Sequence, residues 1–227
     1  MNDTIANGRL TDDELLVDPA AARRSVLAVP NVSEGRDAST IAALVDACRT
    51  PGVRVLDVHS DPDHHRSVIS LVGNPMAVQD SLVELAGECV DRIDLRRHRG
   101  VHPRIGALDV APIVALHPDD TDLASEVAEG LAERLGRELN LTVFLYGGVS
   151  HDPQRVWPRD FRRGGLEALE AAIDDGSLVP DAGPTRLHSS AGAVLVGVRG
   201  PLIAWNIWLP EGSLAEEIGR ASCRERV

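Results

Sequence analysis

Apolar residues in this chain fall into short runs of five or six and longer stripes at helical spacing, and their alternation predicts an α/β order. Residues 25–29 (SVLAV) predict a buried strand that runs into a polar turn, 30–35 (PNVSEG). Asp37 or Ser39 can cap the following helix, whose Ile41, Leu44, Val45 and Cys48 share one face. Thr50, Pro51 and Gly52 stop it. Residues 53–58 (VRVLDV) and 67–72 (SVISLV) predict a hairpin-like pair of strands around a polar loop, 59–66 (HSDPDHHR). Asn74 before Pro75 starts a helix, since the N–H that proline lacks has no partner at the first helical position. Val78, Leu82, Leu85, Cys89, Val90 and Ile93 line one side of it.

Beyond a second polar loop, residues 110–116 (VAPIVAL) predict a strand, with Pro112 pointing to an edge or a bulge because it cannot donate to a ladder. Leu123, Val127, Leu131, Leu135 and Leu139 mark an amphipathic helix over 119–139, and 142–146 (TVFLY) is a further strand. Strand, helix, strand, strand, helix, strand is the order of a ferredoxin-like sandwich: a mixed sheet with helices on one face, here with an extension. A short helix through Leu166, Leu169 and Ile173 leads to a boundary at 181–184 (DAGP). Residues 25–182 are therefore expected to form a first subdomain, and strands at 193–198 and 202–209 to open a truncated second α/β subdomain. Residues 1–24 lack periodicity and read as a mobile leader. Residues 218–227 (IGRASCRERV) have no apolar face and match the translation of a sequencing adapter, so the natural chain is expected to continue beyond Glu217.

Composition narrows the function classes. A net charge of -12 over 227 residues argues against non-specific binding to nucleic acid or anionic membrane, and leaves small anionic ligands compatible. No apolar run approaches the roughly 18 to 20 residues that span a bilayer, and no basic-then-apolar signal opens the chain, so a cytoplasmic location is expected. Cys48, Cys89 and Cys223 show neither CxxC spacing nor an even framework, which points away from zinc and from disulfides.

Against that acidic background the loop at 94–110 (DLRRHRGVHPRIGALDV) stands out, with His98 and His102 among Arg96, Arg97, Arg99 and Arg104. Gly100, Pro103 and Gly106 break any helix there. A local excess of guanidinium and imidazole suggests an anion site. Three readings are open. His59, Asp61, Asp63, His64 and His65 could join His98 and His102 in a hydrolytic metal centre, but HExxH and paired cysteines are lacking and the arginines oppose a cation. Both loops could simply cap sheet ends. Or a metal-free transfer site could use histidine as acid and base, with arginine forks holding carboxylates. No GxSxG elbow, P-loop or GxGxxG occurs.

The motifs at 29–36 (VPNVSEGR), 98–110 (HRGVHPRIGALDV), 145–147 (LYG) and 202–206 (LIAWN) together resemble glutamate formimidoyltransferase, in collinear order over about 25–209. The resemblance implies two α/β subdomains, a homodimer, and transfer of the formimidoyl group from N-formimidoyl-L-glutamate to N5 of tetrahydrofolate in histidine degradation. It implies tetrahydrofolate as co-substrate and no metal. It carries the catalytic histidine onto His102, with Asn31, Glu34, His64, Arg66, His98 and Arg104 as substrate-binding residues. The folate segment falls on Gly183, Pro184, Thr185, Arg186, Leu187, His188, Ser189, Ser190, Ala191 and Gly192. Two positions depart from the family pattern: Ala191 replaces an aromatic, and His65 stands where asparagine is expected. A metal-dependent amidohydrolase, a non-catalytic folate-binding module and a formyl donor are the alternatives.

Overall fold

Strand β1 (Val26–Ala28) and strand β2 (Asn31–Val32) are two halves of one line of chain, interrupted at Val29 and Pro30. A computed structural model describes residues 25–202; the expected leader, the strand at 202–209 beyond its first residue and the adapter-like tail lie outside them. Helix α1 (Ala38–Ala47) is capped by Asp37, whose carboxylate accepts the Ser39 N–H. Strands β3 (Val53–Asp61) and β4 (Arg66–Gly73) form the hairpin. The strands are longer than expected: His59, Ser60 and Asp61 pair with Val68, Ser67 and Arg66, so the polar turn shrinks to 62–65. Helix α2 (Pro75–Arg92) is capped by Asn74, and strand β5 (Leu108–Ala115) follows the arginine loop. Helix α3 (Thr121–Leu139), strand β6 (Thr142–Gly147), short helices α4 (Pro158–Phe161) and α5 (Gly165–Asp174), and strand β7 (Ala193–Arg199) follow among the described residues.

All seven strands share one mixed sheet. The β1–β2 line lies between β4 and β5, antiparallel to both, and β3 flanks β4 on the far side. That is the ferredoxin-like order expected from the sequence, and the α/β class holds. The extension differs in one respect. Strand β7 was expected to open a second subdomain beyond 182, yet it is inserted parallel between β5 and β6. Its residues Val194 to Val198 are buried on both faces, and only a central place in the sheet satisfies such an unbroken apolar run.

Pro112 is a second correction. It lies in a central strand rather than at an edge, and its carbonyl accepts the Val29 N–H at 3.1 Å. A strand residue points its N–H and C=O to the same side, so the donor that proline lacks would face the β1–β2 interruption, where the ladder is already broken.

Helices α1, α2 and α3 cover one face, with Leu44, Leu82, Leu85, Leu131 and Leu135 fully buried against Ile69, Leu71, Ala111 and Val196. Each such leucine contributes roughly 1.5–3 kcal/mol. On the opposite face α4 and α5 cover only the β6–β7 side, through Phe161, Leu169 and Ile173 on Phe144, Tyr146 and Leu195. Among the described residues nothing covers the rest of that face, and a groove of about 340 Å³ lies on it. No described helix is long and apolar enough to cross a membrane.

Candidate active site

The loop before β5 is shaped by its own arginine. Arg104 sends Nη2 to the His98 carbonyl (2.9 Å) and Nη1 to the Gly100 and His102 carbonyls (both 3.3 Å), so its guanidinium is wrapped by the loop it belongs to. The sequence suggested an anion contact at Arg104; these three acceptors instead make it a brace. Both ends of the loop are tied down: Leu95 N–H donates to Ser190 O and Ala107 N–H to Ala191 O, each at 2.8 Å. Gly100 lets the loop lie on the hairpin turn, because a Cβ there would sit 2.5 Å from His64 O and 2.7 Å from His65 Cβ.

Four histidines meet where these loops touch. His98 is buried, donates from Nε2 to His65 O (3.0 Å) and stacks on the His65 ring at 4.0 Å. Burial, helped by the Arg104 charge, lowers its pKa to about 4, and its Nδ1 has no partner. His98 therefore acts as a neutral spacer behind the site. His65 has φ of 52°, the left-handed region that asparagine and histidine enter more readily than most residues. Its Nε2 meets Glu34 Oε1 at 3.1 Å. The same Glu34 oxygen accepts the N–H groups of Gly35, Arg36 and Asp37. Burial pushes the Glu34 pKa up, but those backbone donors and His65 outweigh it, so it stays below the ordinary range. Glu34, expected to hold substrate, is engaged in holding the turn before α1.

His64 and His102 face the open side. Asp61 Oδ2 lies 2.6 Å from His64 Nδ1, so Nδ1 carries the proton and Nε2 is the free nitrogen. The His102 ring is 6.0 Å from that of His64, and its Nε2 accepts from Arg66 Nη1 at 2.7 Å. Burial, then the charges of Arg66, Arg162 and His64, lower the His102 pKa to about 4, so the ring is neutral at pH 7 with its lone pair on Nε2.

The groove begins beside Arg66. Asn31, Arg66, Tyr146, Arg162 and Arg199 line it. Sequence reading placed Asn31 and Arg66 in the site but passed over Arg162, Asp109 and Tyr146. Asp109 is buried beneath the groove, where Oδ1 accepts the Ile105 and Gly106 N–H groups and Oδ2 meets Arg162 Nη2 at 2.5 Å. A buried aspartate in GALDV was the signal available, since a carboxylate inside a sheet needs a cation. Residues 183–192 do not line the groove. Their Gly192 end is bonded to the loop through Ile105, Ala107 and Leu95, and Thr185, Arg186 and Ser189 are exposed.

Among the described residues no group of three histidine, cysteine, aspartate or glutamate side chains is placed to hold a metal ion. The chemistry open to this arrangement is proton transfer by a neutral imidazole next to guanidinium groups that receive an anion.

Comparison with known proteins agrees in extent and order. The chain is 37% identical over 180 residues to a glutamate formimidoyltransferase of Streptococcus pyogenes serotype M1, covering 79% of this chain and 60% of that protein. It is 36% identical over 198 residues to a glutamate formimidoyltransferase of Thermoplasma acidophilum, covering 85% and 63%. A formimidoyltransferase-cyclodeaminase of Rattus norvegicus is 39% identical over 180 residues, and the match spans 33% of its length. The chain thus spans less than two thirds of the length of the first two relatives and about one third of the third. The family model described as formiminotransferase domain, N-terminal subdomain, matches residues 25–199, which end with β7. With this match over most of its length, the chain belongs to the formiminotransferase family and carries that family's N-terminal subdomain.

Proposed function

We propose that the protein of which this chain is part is a glutamate formimidoyltransferase, moving the formimidoyl group of N-formimidoyl-L-glutamate to N5 of tetrahydrofolate, with His102 as acid and base. The observation that carries the reading is the neutral His102 ring, its Nε2 lone pair 2.7 Å from Arg66 at the end of a groove lined by arginines. A neutral imidazole is the form a general base needs.

The amidine carbon is already electrophilic, more so when protonated, so neither a metal nor a covalent nucleophile is required. A bond forms between N5 and that carbon while His102 accepts the N5 proton. The bond from carbon to the glutamate nitrogen then breaks as the imidazolium returns the proton to that nitrogen. A pKa of about 4 makes His102 a weak base when Arg66 rests on it. Burial remains, but an incoming carboxylate answers the charge part of that weakness: it balances the guanidinium charge and draws Arg66 away from Nε2, raising the pKa. Asn31 and His64 face the same region, and Thr185, Arg186 and Ser189 are the exposed side chains of the segment assigned to folate.

Relatives named glutamate formimidoyltransferase support the donor, and the basic groove in an acidic chain supports two carboxylate-bearing substrates. A homodimer in the cytoplasm completes the reading, and sedimentation of the complete protein tests the dimer. The deciding experiment is a coupled assay of the complete protein with formimidoyl and formyl donors, with and without chelator. Transfer from the formimidoyl donor that survives chelation supports the proposal. Chelator-sensitive hydrolysis without tetrahydrofolate would replace it with an amidohydrolase, and tetrahydrofolate binding without turnover with a binding module.

A further inference from the structure

The open groove holds an imbalance of charge that the reaction chemistry does not by itself explain. Arg66, Arg162 and Arg199 line it, and Asp109 is the only carboxylate paired with any of them among the described residues. Among the described residues Arg66 has His102 as its hydrogen-bond partner and no ion pair, and Arg199 donates to the Gly200 carbonyl at 3.2 Å. Burial first, then the neighbouring Arg162 charge, lower the Arg66 pKa, and the more weakly felt carboxylates of Asp109 and Asp61 do not offset them, so the two guanidinium groups are close enough to repel each other.

Arg162 is held by a fixed support. Asp109 grips its Nη2 from below, and the same carboxylate anchors the backbone at Ile105 and Gly106, next to the histidine loop. The Arg162 side chain is only 16% exposed, and its Nε–H has no hydrogen-bond partner. Two arginines on the wall of one groove, one of them with no carboxylate partner among the described residues, suit a carboxylate, whose two oxygens can take one donor from each fork. Arg104, to which the resemblance carried a substrate-binding role, places three of its five donors on backbone carbonyls.

We infer that Arg162 is a substrate-binding residue, which together with Arg66 takes one carboxylate of a small dicarboxylate donor and so sets the donor's place against His102. The inference rests on the transferase reading for the identity of the donor, and on the groove alone for the class of ligand. Asp109 is a positioning residue that aims Arg162 and the loop together. Recognition of a carboxylate by a fixed fork also sets specificity: an amide in its place leaves a guanidinium unpaired and is rejected.

The test uses the complete protein in three forms: wild type, Arg162→Lys, and the double variant Arg162→Met with Asp109→Asn, which removes the ion pair without leaving a lone buried charge. Thermal melting checks that each is folded. Expected is an increase of about tenfold or more in KM for N-formimidoyl-L-glutamate in both variants, since a charge-assisted contact is worth that much, with KM for tetrahydrofolate within about twofold of wild type. The wild-type protein should prefer this donor to its side-chain amide analogue, and both variants should lose that preference. Calorimetric binding of glutarate to the same three proteins needs no turnover, so it separates failure of this inference from failure of the transferase reading. If folded variants bind glutarate as wild type does, Arg162 is not part of the receptor. If wild type binds glutarate and the variants do not, while no form transfers a formimidoyl group, the receptor stands and the transferase reading falls.

Discussion

Arg66 Nη1 donates to His102 Nε2 across 2.7 Å, so a cation rests on the lone pair of the proposed base. The contact joins the start of β4 to the loop before β5, 36 residues apart, and makes the basicity of His102 depend on what Arg66 is doing. Replacing Arg66 with Met should therefore raise the His102 pKa from about 4 toward its ordinary value, followed by NMR titration of the imidazole. An unmoved titration would assign the depression to burial and the remaining charges of Arg162 and His64.

Loss of the base should be costly. His102→Ala in the complete protein is expected to lower kcat by about 10²–10⁴-fold while leaving the melting temperature near that of wild type. His64→Ala, which removes the ring held by Asp61 at 2.6 Å, should have a smaller effect. Full turnover in His102→Ala would remove His102 from the chemistry and turn attention to His64.

Two depressed histidines make stability depend on pH. The folded-state pKa values of His98 and His102 are both about 4, below the ordinary histidine value near 6.5, so the unfolded chain binds more protons in between. Their neutral forms contribute stability that is fully present above about pH 6.5 and is lost as pH falls through about 4. Urea midpoints should decline across that window, and His98→Gln should flatten the decline. An equal slope in wild type and variant would contradict the assignment to His98.

Asp109→Ala strips two buried N–H groups of their acceptor and Arg162 of its counter-ion. Breaking a buried pair from one side costs roughly 3–5 kcal/mol, which equilibrium denaturation would read directly. A loss below about 1 kcal/mol would mean that water replaces the carboxylate without difficulty.

Gly197 in β7 lies under the Tyr146 ring, and a Cβ there would come within 2.4 Å of Cε1. Gly197→Ala should displace that ring, at a cost of about 1–3 kcal/mol, and weaken whatever the groove binds. Glutarate calorimetry and a denaturation curve on the same sample would separate the two effects.

The histidine loop illustrates how much of the site was legible in advance. HPRIGALDV drew attention to His102 and Arg104 together, and the structure divides them: one ring meets Arg66 of the groove wall, and the guanidinium two residues later braces the loop from within. Spacing along the chain says which side chains are near in sequence, but an arginine fork goes to whichever acceptors surround it. His98 shows the same limit, since its burial depends on the ring of His65, 33 residues away.

By itself the sequence determined what short-range physics controls: the helix starts at Asp37 and Asn74, the apolar stripes of α2 and α3, the split strand-helix order, and a basic loop in an acidic chain. Caps and periodicity act over a few residues, so a local stretch contains all that decides them. Only the tertiary structure decided that β7 enters the sheet between β5 and β6, that Pro112 is central, and that Arg162 rather than Arg104 stands beside Arg66. Those outcomes turn on which strand edges find partners and which carboxylate finds which cation, and the Asp109 to Arg162 contact closes over 53 residues of intervening chain.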